Sequence, residues 1–207
     1  MTLSLTLAQR EALVGLLLGD AHLEARAMGS TYRLKIEQSE AHRAYVEHLY
    51  GLFRPWVLTP PQPKNVISRG HSSTNWWFQT VSHGAFRFYA QQFYRNGRKC
   101  VPRLISRWLK PRGLAYWFMD DGSLKWRQSR AVLLNTQGYE LSDVERLAEV
   151  LTREFALATF LRRQAEGYQL VIAGRSLERL AELIGPYLLQ EMAYKMPRVG
   201  QTQLPKW

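Results

Sequence analysis

Two stretches decide the fold of this chain: LVGLLLGDA at residues 13–21 and LAYWFMDDG at residues 114–122. In each, an apolar run ends at an aspartate, Asp20 in the first and Asp121 in the second. The apolar residues cover nearly the whole circumference of a helix of about two turns, which predicts burial on all sides. Each aspartate then lies in the last turn, where the helix dipole disfavours a negative charge. We therefore expect a positive group there, and a divalent cation is the obvious one.

The segments after the two aspartates repeat the same order of patterns. Alternating apolar and polar residues predict a hairpin at residues 21–37 and another at 122–135. Helical patterns follow at residues 41–53 and 142–155, the second with a Ser142 cap and Glu145 three residues later. Further hairpins at 57–80 and 159–172 lead to closing helices at 84–94 and 175–189. The order is therefore helix, hairpin, helix, hairpin, helix, twice.

This repetition predicts a pseudo-twofold arrangement in which the two apolar helices pack together and bring Asp20 and Asp121 to one place. Gly15 and Ala115 are small enough to let the two backbones approach. We expect a first half at residues 1–96, a basic connector at 97–112 and a second half at 113–207.

Composition points to a folded protein with a polyanionic partner. The 207 residues are 46% hydrophobic and 22% charged, with a net charge of +11. Lys and Arg outnumber Asp and Glu by 12 to 6 in residues 1–100 and by 4 to 0 in 101–113, but only by 12 to 11 in 114–207. The single cysteine, Cys100, excludes an intramolecular disulfide and a thiolate zinc cluster. We expect an intracellular, soluble protein, because the sequence shows neither a membrane-spanning run nor a signal-peptide pattern.

Strand alternation divides the predicted strands into a packed face and an open face. We expect Leu34, Leu124 and Trp126 on the packed faces. The polar residues of the open faces have side chains that read base edges in a major groove. They are Arg33, Lys35, Glu37, Arg69, Asn75, Trp77, Gln79, Lys125, Arg127, Arg162 and Arg163. Ordinary solvent exposure of an antiparallel sheet explains the same pattern equally well.

The paired aspartates suit the hydrolysis of a phosphodiester, which needs a nucleophilic water and a cation on the developing charge. If the chain had only one such aspartate, an ordinary turn would be enough to explain it, since Asp-Asp-Gly at residues 120–122 is a common turn sequence. Two copies with the same following pattern argue against that explanation. Lys99 and Lys195 hold matching positions after the last helix of each half. Either could stabilise a phosphorane charge or simply lie near a helix C-terminus.

These motifs resemble those of the LAGLIDADG homing endonucleases, in particular the single-chain branch with two motifs, which includes endonucleases of yeast mitochondrial introns. The resemblance covers residues 12–197. It is most specific at residues 15–21, 56–61, 114–122, 134–137, 186–188 and 194–197. Ala21 and Tyr116 depart from the motif, each standing where the family has glycine.

The resemblance implies an α+β fold of two pseudo-symmetric αββαββα halves, whose antiparallel sheets form a DNA-binding saddle around the paired central helices. It implies that Asp20 and Asp121 bind the catalytic metal with the backbone carbonyls of Gly19 and Asp120. Lys99 and Lys195 then assist from each half. The implied cofactor is Mg²⁺, with Mn²⁺ or Ca²⁺ as substitutes for binding, and the implied product is a double-strand break with 3′ overhangs.

Three functions fit these expectations. The first is a monomeric, site-specific endonuclease for double-stranded DNA, located in an organelle or a prokaryotic cytoplasm. The second is an RNA-binding maturase that helps its host intron to splice, with intron RNA as partner. The third is a DNA-binding regulator of the same fold with an inactive site. Retention of both aspartates and both lysines favours the nuclease.

Overall fold

The computed structural model of the chain describes residues 3–26, 30–68 and 70–197. Within these ranges the chain forms seven α-helices and ten strands. The helices are α1 (Leu7–Leu18), α2 (Arg43–Phe53), α3 (Arg87–Phe93), α4 (Ile105–Trp108), α5 (Pro111–Asp121), α6 (Leu141–Phe155) and α7 (Leu177–Ile184). The strands are β1 (His22–Arg26), β2 (Thr31–Ser39), β3 (Gln62–Ser68), β4 (His71–Gln79), β5 (Tyr94–Arg95), β6 (Arg98–Lys99), β7 (Gly122–Leu124), β8 (Val132–Leu134), β9 (Thr159–Gln164) and β10 (Gly167–Ile172).

The two halves contain antiparallel sheets of the same strand order. The first sheet runs β1-β2-β4-β3 and the second runs β7-β8-β10-β9. A small hairpin of β5 and β6 lies between them, and Asn96 and Gly97 turn it with φ values of 50° and 77°. The α+β class and the repeated arrangement predicted from the sequence are confirmed.

The apolar helices α1 and α5 form the centre of the molecule. Residues 12–18 and 113–119 are all buried, as their composition predicts. The helices approach most closely where Gly15 meets Gly113, because a Cβ at Gly15 would overlap the Gly113 carbonyl. Gly15 is therefore confirmed at the close approach, with Gly113 opposite it, and Ala115 is buried. Tyr116 is accommodated away from this crossing, with its hydroxyl 2.7 Å from Nε2 of His48 on α2.

Local signals set two helix starts differently from the prediction. The first helix begins earlier than its apolar run, because Thr6 and Gln9 form a reciprocal capping box. The Ser142 cap is wrong, since Glu140 holds the N-cap position of α6 and makes no side-chain cap.

The sheets are covered by helices on one face only. Buried residues of α2 and α6, such as Leu49 and Leu147, join Leu34 and Leu170 of the sheets in one continuous core. On the opposite face of the first sheet, Lys35 and Glu37 are partly exposed, whereas Leu133 and Val171 on the opposite face of the second sheet are buried.

Two predicted strands are shorter than expected. The strand predicted from residue 57 begins at Gln62, after an irregular stretch with Pro60 and Pro61. In the second half β7 ends at Leu124, because Ser129 closes a tight turn by donating its backbone N–H to the Trp126 carbonyl and pairing with Ala131. Trp126 is 58% exposed in this turn, so its predicted place in the core is wrong.

A search of the helices in the described ranges found none that combines the length and the apolar character needed to cross a membrane.

Candidate active site

Packing of α1 against α5 brings Asp20 and Asp121 together at the ends of these helices. The backbone N–H of Asp20 donates to the Asp120 carboxylate over 3.1 Å. Asp121 is the last residue of α5, as predicted, whereas α1 ends at Leu18 and Asp20 lies just beyond it. Asp20 is exposed and Asp121 is half-buried. Two aspartates half a chain apart thus share one centre.

A glutamine that the sequence reasoning missed holds the first acid. The side-chain amide of Gln38 donates to Oδ2 of Asp20 over 2.8 Å. Gln38 belongs to β2 and has the same parity as the buried residues Leu34 and Ile36. A polar residue on the packed face of a strand was the signal that could have identified it.

The second acid has a different environment. The indole N–H of Trp117, one turn earlier in α5, donates to Oδ2 of Asp121 over 3.2 Å. Burial and the nearby charge of Asp20 raise the pKa of Asp121 to about 7, although Lys99, Trp117 and Lys195 oppose the shift. The two acids therefore lie in different environments, Asp20 exposed and Asp121 half-buried.

Asp120 ties the two helix ends to each other. One oxygen of its carboxylate accepts from the backbone of Asp20, and the other accepts from the Tyr45 hydroxyl over 2.8 Å. Burial and the charge of Asp20 raise the pKa of Asp120. The equivalent residue of the first half is Gly19, where an added Cβ would overlap the Asp120 side chain. The glycine thus makes room for the carboxylate that positions Asp20.

Each half supplies a lysine to the end of its own central helix. Nζ of Lys99 donates to the carbonyl of Gly19 over 2.5 Å. Nζ of Lys195 donates to the carbonyls of Met119 and Asp120, the latter over 2.9 Å. Burial lowers the pKa of both lysines, and the surrounding aspartates oppose this shift. These two lysines therefore provide positive charge at the helix C-termini, where the sequence predicts a positive group.

The donor atoms at the centre fit Mg²⁺, which prefers oxygen ligands. They include the carboxylates of Asp20 and Asp121 and the carbonyls of Gly19 and Asp120, and a carbonyl that accepts from a lysine retains a second lone pair. In the described part of the chain, no three His, Cys, Asp or Glu side chains converge as a metal cluster. Any ion would therefore need further ligands from water or phosphate.

The open face of the first sheet carries a connected set of charged side chains. The register places Lys35 opposite Gln79 and Glu37 opposite Trp77, with Arg33 and Asn75 on the same face. These six predicted residues therefore share one surface. Arg69 lies outside the described residues.

Two glutamates organise this face. Glu24 accepts from Arg33 over 2.7 and 2.9 Å and from Lys35 over 3.3 Å. Glu37 accepts from Asn75 over 2.8 Å and from Lys64 over 3.0 Å. Burial would raise the pKa of Glu24, but hydrogen bonds from Arg33, His22 and Lys35 lower it to about 2. Sequence reasoning missed Glu24 and Lys64, although both fall in the alternating pattern.

The open face of the second sheet is built differently. Arg162 lies opposite Gln169 on this face, and Gln169 donates to Asn135 over 2.8 Å. Arg163 follows Arg162 in the same strand and points to the other face, so the expectation that both extend one face is wrong. Lys125 and Arg127 lie in the turn after β7 and not in a strand.

Basic residues of the connector and of the segments packed beside it lie next to Lys99. An open cavity of about 800 Å³ beside Lys99 is lined by Arg95, Arg98, Arg103 and Arg146, with Asp143 as an acidic neighbour. Asp143 pairs with Arg146 over 2.6 Å. The exposed arginines of this cavity extend positive charge outward from the paired aspartates.

Comparison with known proteins gives a family model and relatives over most of the chain. Residues 10–180 match the LAGLIDADG DNA endonuclease family. The chain is 31% identical over 202 residues to a probable intron-encoded endonuclease 1 of Wickerhamomyces canadensis, covering 93% of this chain and 85% of the relative. It is 27% identical over 192 residues to the cytochrome b mRNA maturase bI2 of Debaryomyces hansenii, covering 90% and 72%.

A solved structure shares the whole fold. The homing endonuclease I-WcaI bound to its DNA recognition sequence superposes with a TM-score of 0.89 at 28% identity. The match covers 94% of this chain and 88% of that chain.

Proposed function

Because the chain belongs to the LAGLIDADG DNA endonuclease family, we propose that it is a site-specific endonuclease that cuts both strands of a DNA duplex by metal-dependent hydrolysis and leaves 3′ overhangs. The observation that carries this proposal is the composite centre. Asp20 and Asp121 come from different halves, and a lysine caps each helix end beside them. The I-WcaI structure, bound to its DNA recognition sequence, supports the choice of partner.

The open sheet faces and the basic connector would hold the duplex. Their arginines and lysines provide the charge that phosphates require, and polar side chains such as Asn75 and Gln79 suit contacts with base edges. The two faces flank the central helices, so a duplex lying across both places its middle over Asp20 and Asp121.

Each residue of the centre then has a definite role. Asp20 and Asp121, with the carbonyls of Gly19 and Asp120, would hold Mg²⁺, which when bound activates water and stabilises charge on the phosphate. Gln38 and Trp117 fix the orientation of the two carboxylates. Lys99 and Lys195 would donate to the phosphate oxygens as negative charge develops.

We propose that one chain suffices for both cuts. A double-strand break requires two hydrolyses, and the two halves already provide two acids and two lysines. Because the halves differ in their sheet faces, the duplex they fit is asymmetric. The protein would therefore act as a monomer, with the halves at residues 1–96 and 113–207 on either side of the connector.

A second candidate function has specific support. The relative from Debaryomyces hansenii is a cytochrome b mRNA maturase that covers most of this chain. A maturase would bind the RNA of its host intron and assist splicing. The test of the endonuclease should therefore include intron RNA as a second substrate.

Selection of cleaved duplexes from a randomised library, with Mg²⁺ present, tests the endonuclease proposal. We expect a single long asymmetric sequence to be enriched, with ends that carry 3′ overhangs, and we expect EDTA to stop the cleavage. Binding to the enriched duplex should fall by about 0.9 log unit per log salt for each phosphate contacted. Absence of any cleaved duplex, together with tight binding to structured intron RNA, would favour the maturase.

A further inference from the structure

The outer face of the second sheet carries an apolar patch where the first sheet carries ion pairs. The register aligns Ser123, Leu133, Val171 and Phe160 directly opposite one another across all four strands, so they share the outer face. Leu133 is 7% exposed and Val171 is fully buried, yet both lie outside the continuous core. They therefore form the base of a separate apolar layer.

Two aromatic rings give this layer an exposed surface. Phe160 is 46% exposed and Trp126 is 58% exposed. Nζ of Lys125 lies 4.8 Å from the Trp126 ring centroid and 5.8 Å from that of Phe160. One ammonium group thus bridges the rings and fixes the turn over the edge strand. We call Trp126, Phe160, Leu133 and Val171 the apolar patch.

Positive charge surrounds the apolar patch. Lys125 and Arg127 lie in the segment between β7 and β8, and Arg162 shares the outer face with Phe160 on β9. A polyanion complements this rim, and the patch is continuous with the sheet face that flanks the catalytic centre. Both features favour a nucleic-acid duplex over an apolar protein surface as the occupant.

We propose that the second half recognises thymines in its half-site through their C5-methyl groups, a specificity that rests on the proposed DNA-cleaving function. The major groove presents one apolar group on the four bases, the thymine methyl. The apolar patch, which lies between cationic side chains that can bind phosphates, suits contact with this methyl group. The first sheet face also carries an aromatic ring, Trp77, with Nζ of Lys35 at 5.8 Å from its centroid, but Glu24 and Glu37 hold the surrounding cations. We therefore expect the first half to read its half-site mainly through hydrogen bonds.

Replacing thymidine by deoxyuridine in the selected duplex tests the proposal without altering the protein. The duplex enriched from the randomised library is remade with uracil in one half-site at a time, which removes only the methyl groups. In the half-site that the second half of the protein contacts, we expect binding to weaken about four-fold for each methyl group contacted. Uracil in the half-site contacted by the first half of the protein should change the binding affinity little.

A paired substitution assigns that effect to the patch. The double variant Phe160→Ala/Trp126→Ala should bind the uracil and thymine duplexes with equal affinity, because it has already lost the contacts to the methyl groups. Phe88→Ala removes an aromatic ring that is 49% exposed on α3 and should leave the uracil effect intact.

Three outcomes overturn the proposal while leaving the endonuclease in place: a selected half-site without thymine, a uracil effect that survives the paired substitution, or a binding loss in the variant without any uracil effect. The last would assign the rings to base stacking. Failure to cleave any duplex would instead overturn the proposed function.

Discussion

The two halves of this chain agree at the centre and differ at their sheet faces. Each half places an aspartate at or just beyond the end of its buried helix, and a lysine donates to the last carbonyls there. On the first sheet Glu24 and Glu37 hold arginine and lysine in place, whereas the second sheet exposes Phe160 over an apolar base. The halves thus match at the proposed catalytic centre and differ at their sheet faces, which suits a target whose two half-sites differ.

The agreement at the centre is itself incomplete. Gly19 in the first half corresponds to Asp120 in the second, and this exchange lets one carboxylate hold the backbone of Asp20. Asp20 is exposed while Asp121 is half-buried with a raised pKa. The two acids are therefore partners in one site and not interchangeable copies.

The largest expected effect comes from removing either acid. Asp20→Asn and Asp121→Asn should each lower the rate of the double-strand break by about 10²–10³ or more, because each removes one of the two carboxylates proposed to hold the metal. Conversion of a supercoiled plasmid carrying the target to linear DNA measures the rate. Glu178→Gln, which changes an exposed ion pair on α7, should cleave normally.

Removing one lysine should slow the cleavage of one DNA strand more than that of the other. Lys99→Met or Lys195→Met takes the positive charge from one helix end, and we expect roughly a ten-fold or greater slowing. Because each lysine caps only the helix of its own half, the two variants should slow opposite strands and accumulate nicked DNA. Equal slowing of both strands in both variants would contradict this assignment.

Widening the helix crossing should weaken the whole fold. Gly15→Ala places a Cβ against the Gly113 carbonyl and should reduce the free energy of unfolding by about 1–3 kcal/mol. The matched control is Gly51→Ala at an exposed position of α2, where nothing lies within 4 Å of the added Cβ. That change should raise the stability by about 0.5–1 kcal/mol. Urea unfolding of both variants measures the difference, and equal stability would argue against the close crossing.

The smallest effect should come from loosening the first sheet face. Glu24→Gln frees Arg33 and Lys35, so selection should recover more varied sequences in the first half-site alone, with binding changed only a few-fold. Folding lowers the pKa of Glu24 from its ordinary 4.5 to about 2, so its contribution to stability is present above pH 4.5 and disappears as the pH falls toward 2. In Glu24→Gln, the free energy of unfolding should no longer show this pH dependence. Glu166→Gln, in the exposed turn after β9, should change neither property.

The repeated architecture could be predicted because its signals are local. The two apolar runs, the alternating strands and the aspartate positions each follow from residue type and spacing, and the structure has these elements in the predicted order. Lys99 and Lys195 could be singled out by their matching positions. Their catalytic roles, and those of the aspartates, stay predictions.

The errors arose where tertiary contacts decide. At the helix crossing Gly15 meets Gly113, which residue size and spacing alone did not single out, because the residues that meet at a crossing depend on how the two helices pack. Trp126 was assigned to the core by strand alternation, but the strand stops at Leu124 in favour of a turn closed by Ser129. Gln38 was missed because its partner, Asp20, becomes a neighbour only after the sheet packs beside the central helices.

The most direct test of the composite centre compares four proteins on one target under single-turnover conditions: the parent, Asp20→Asn, Asp121→Asn and the double variant, with each DNA strand labelled separately. If the two acids act as one unit, either single substitution should slow both strands, and the double variant should be scarcely slower than either single one. If each single variant instead cuts one strand at the parent rate and the two losses add, the halves act independently and the account is contradicted.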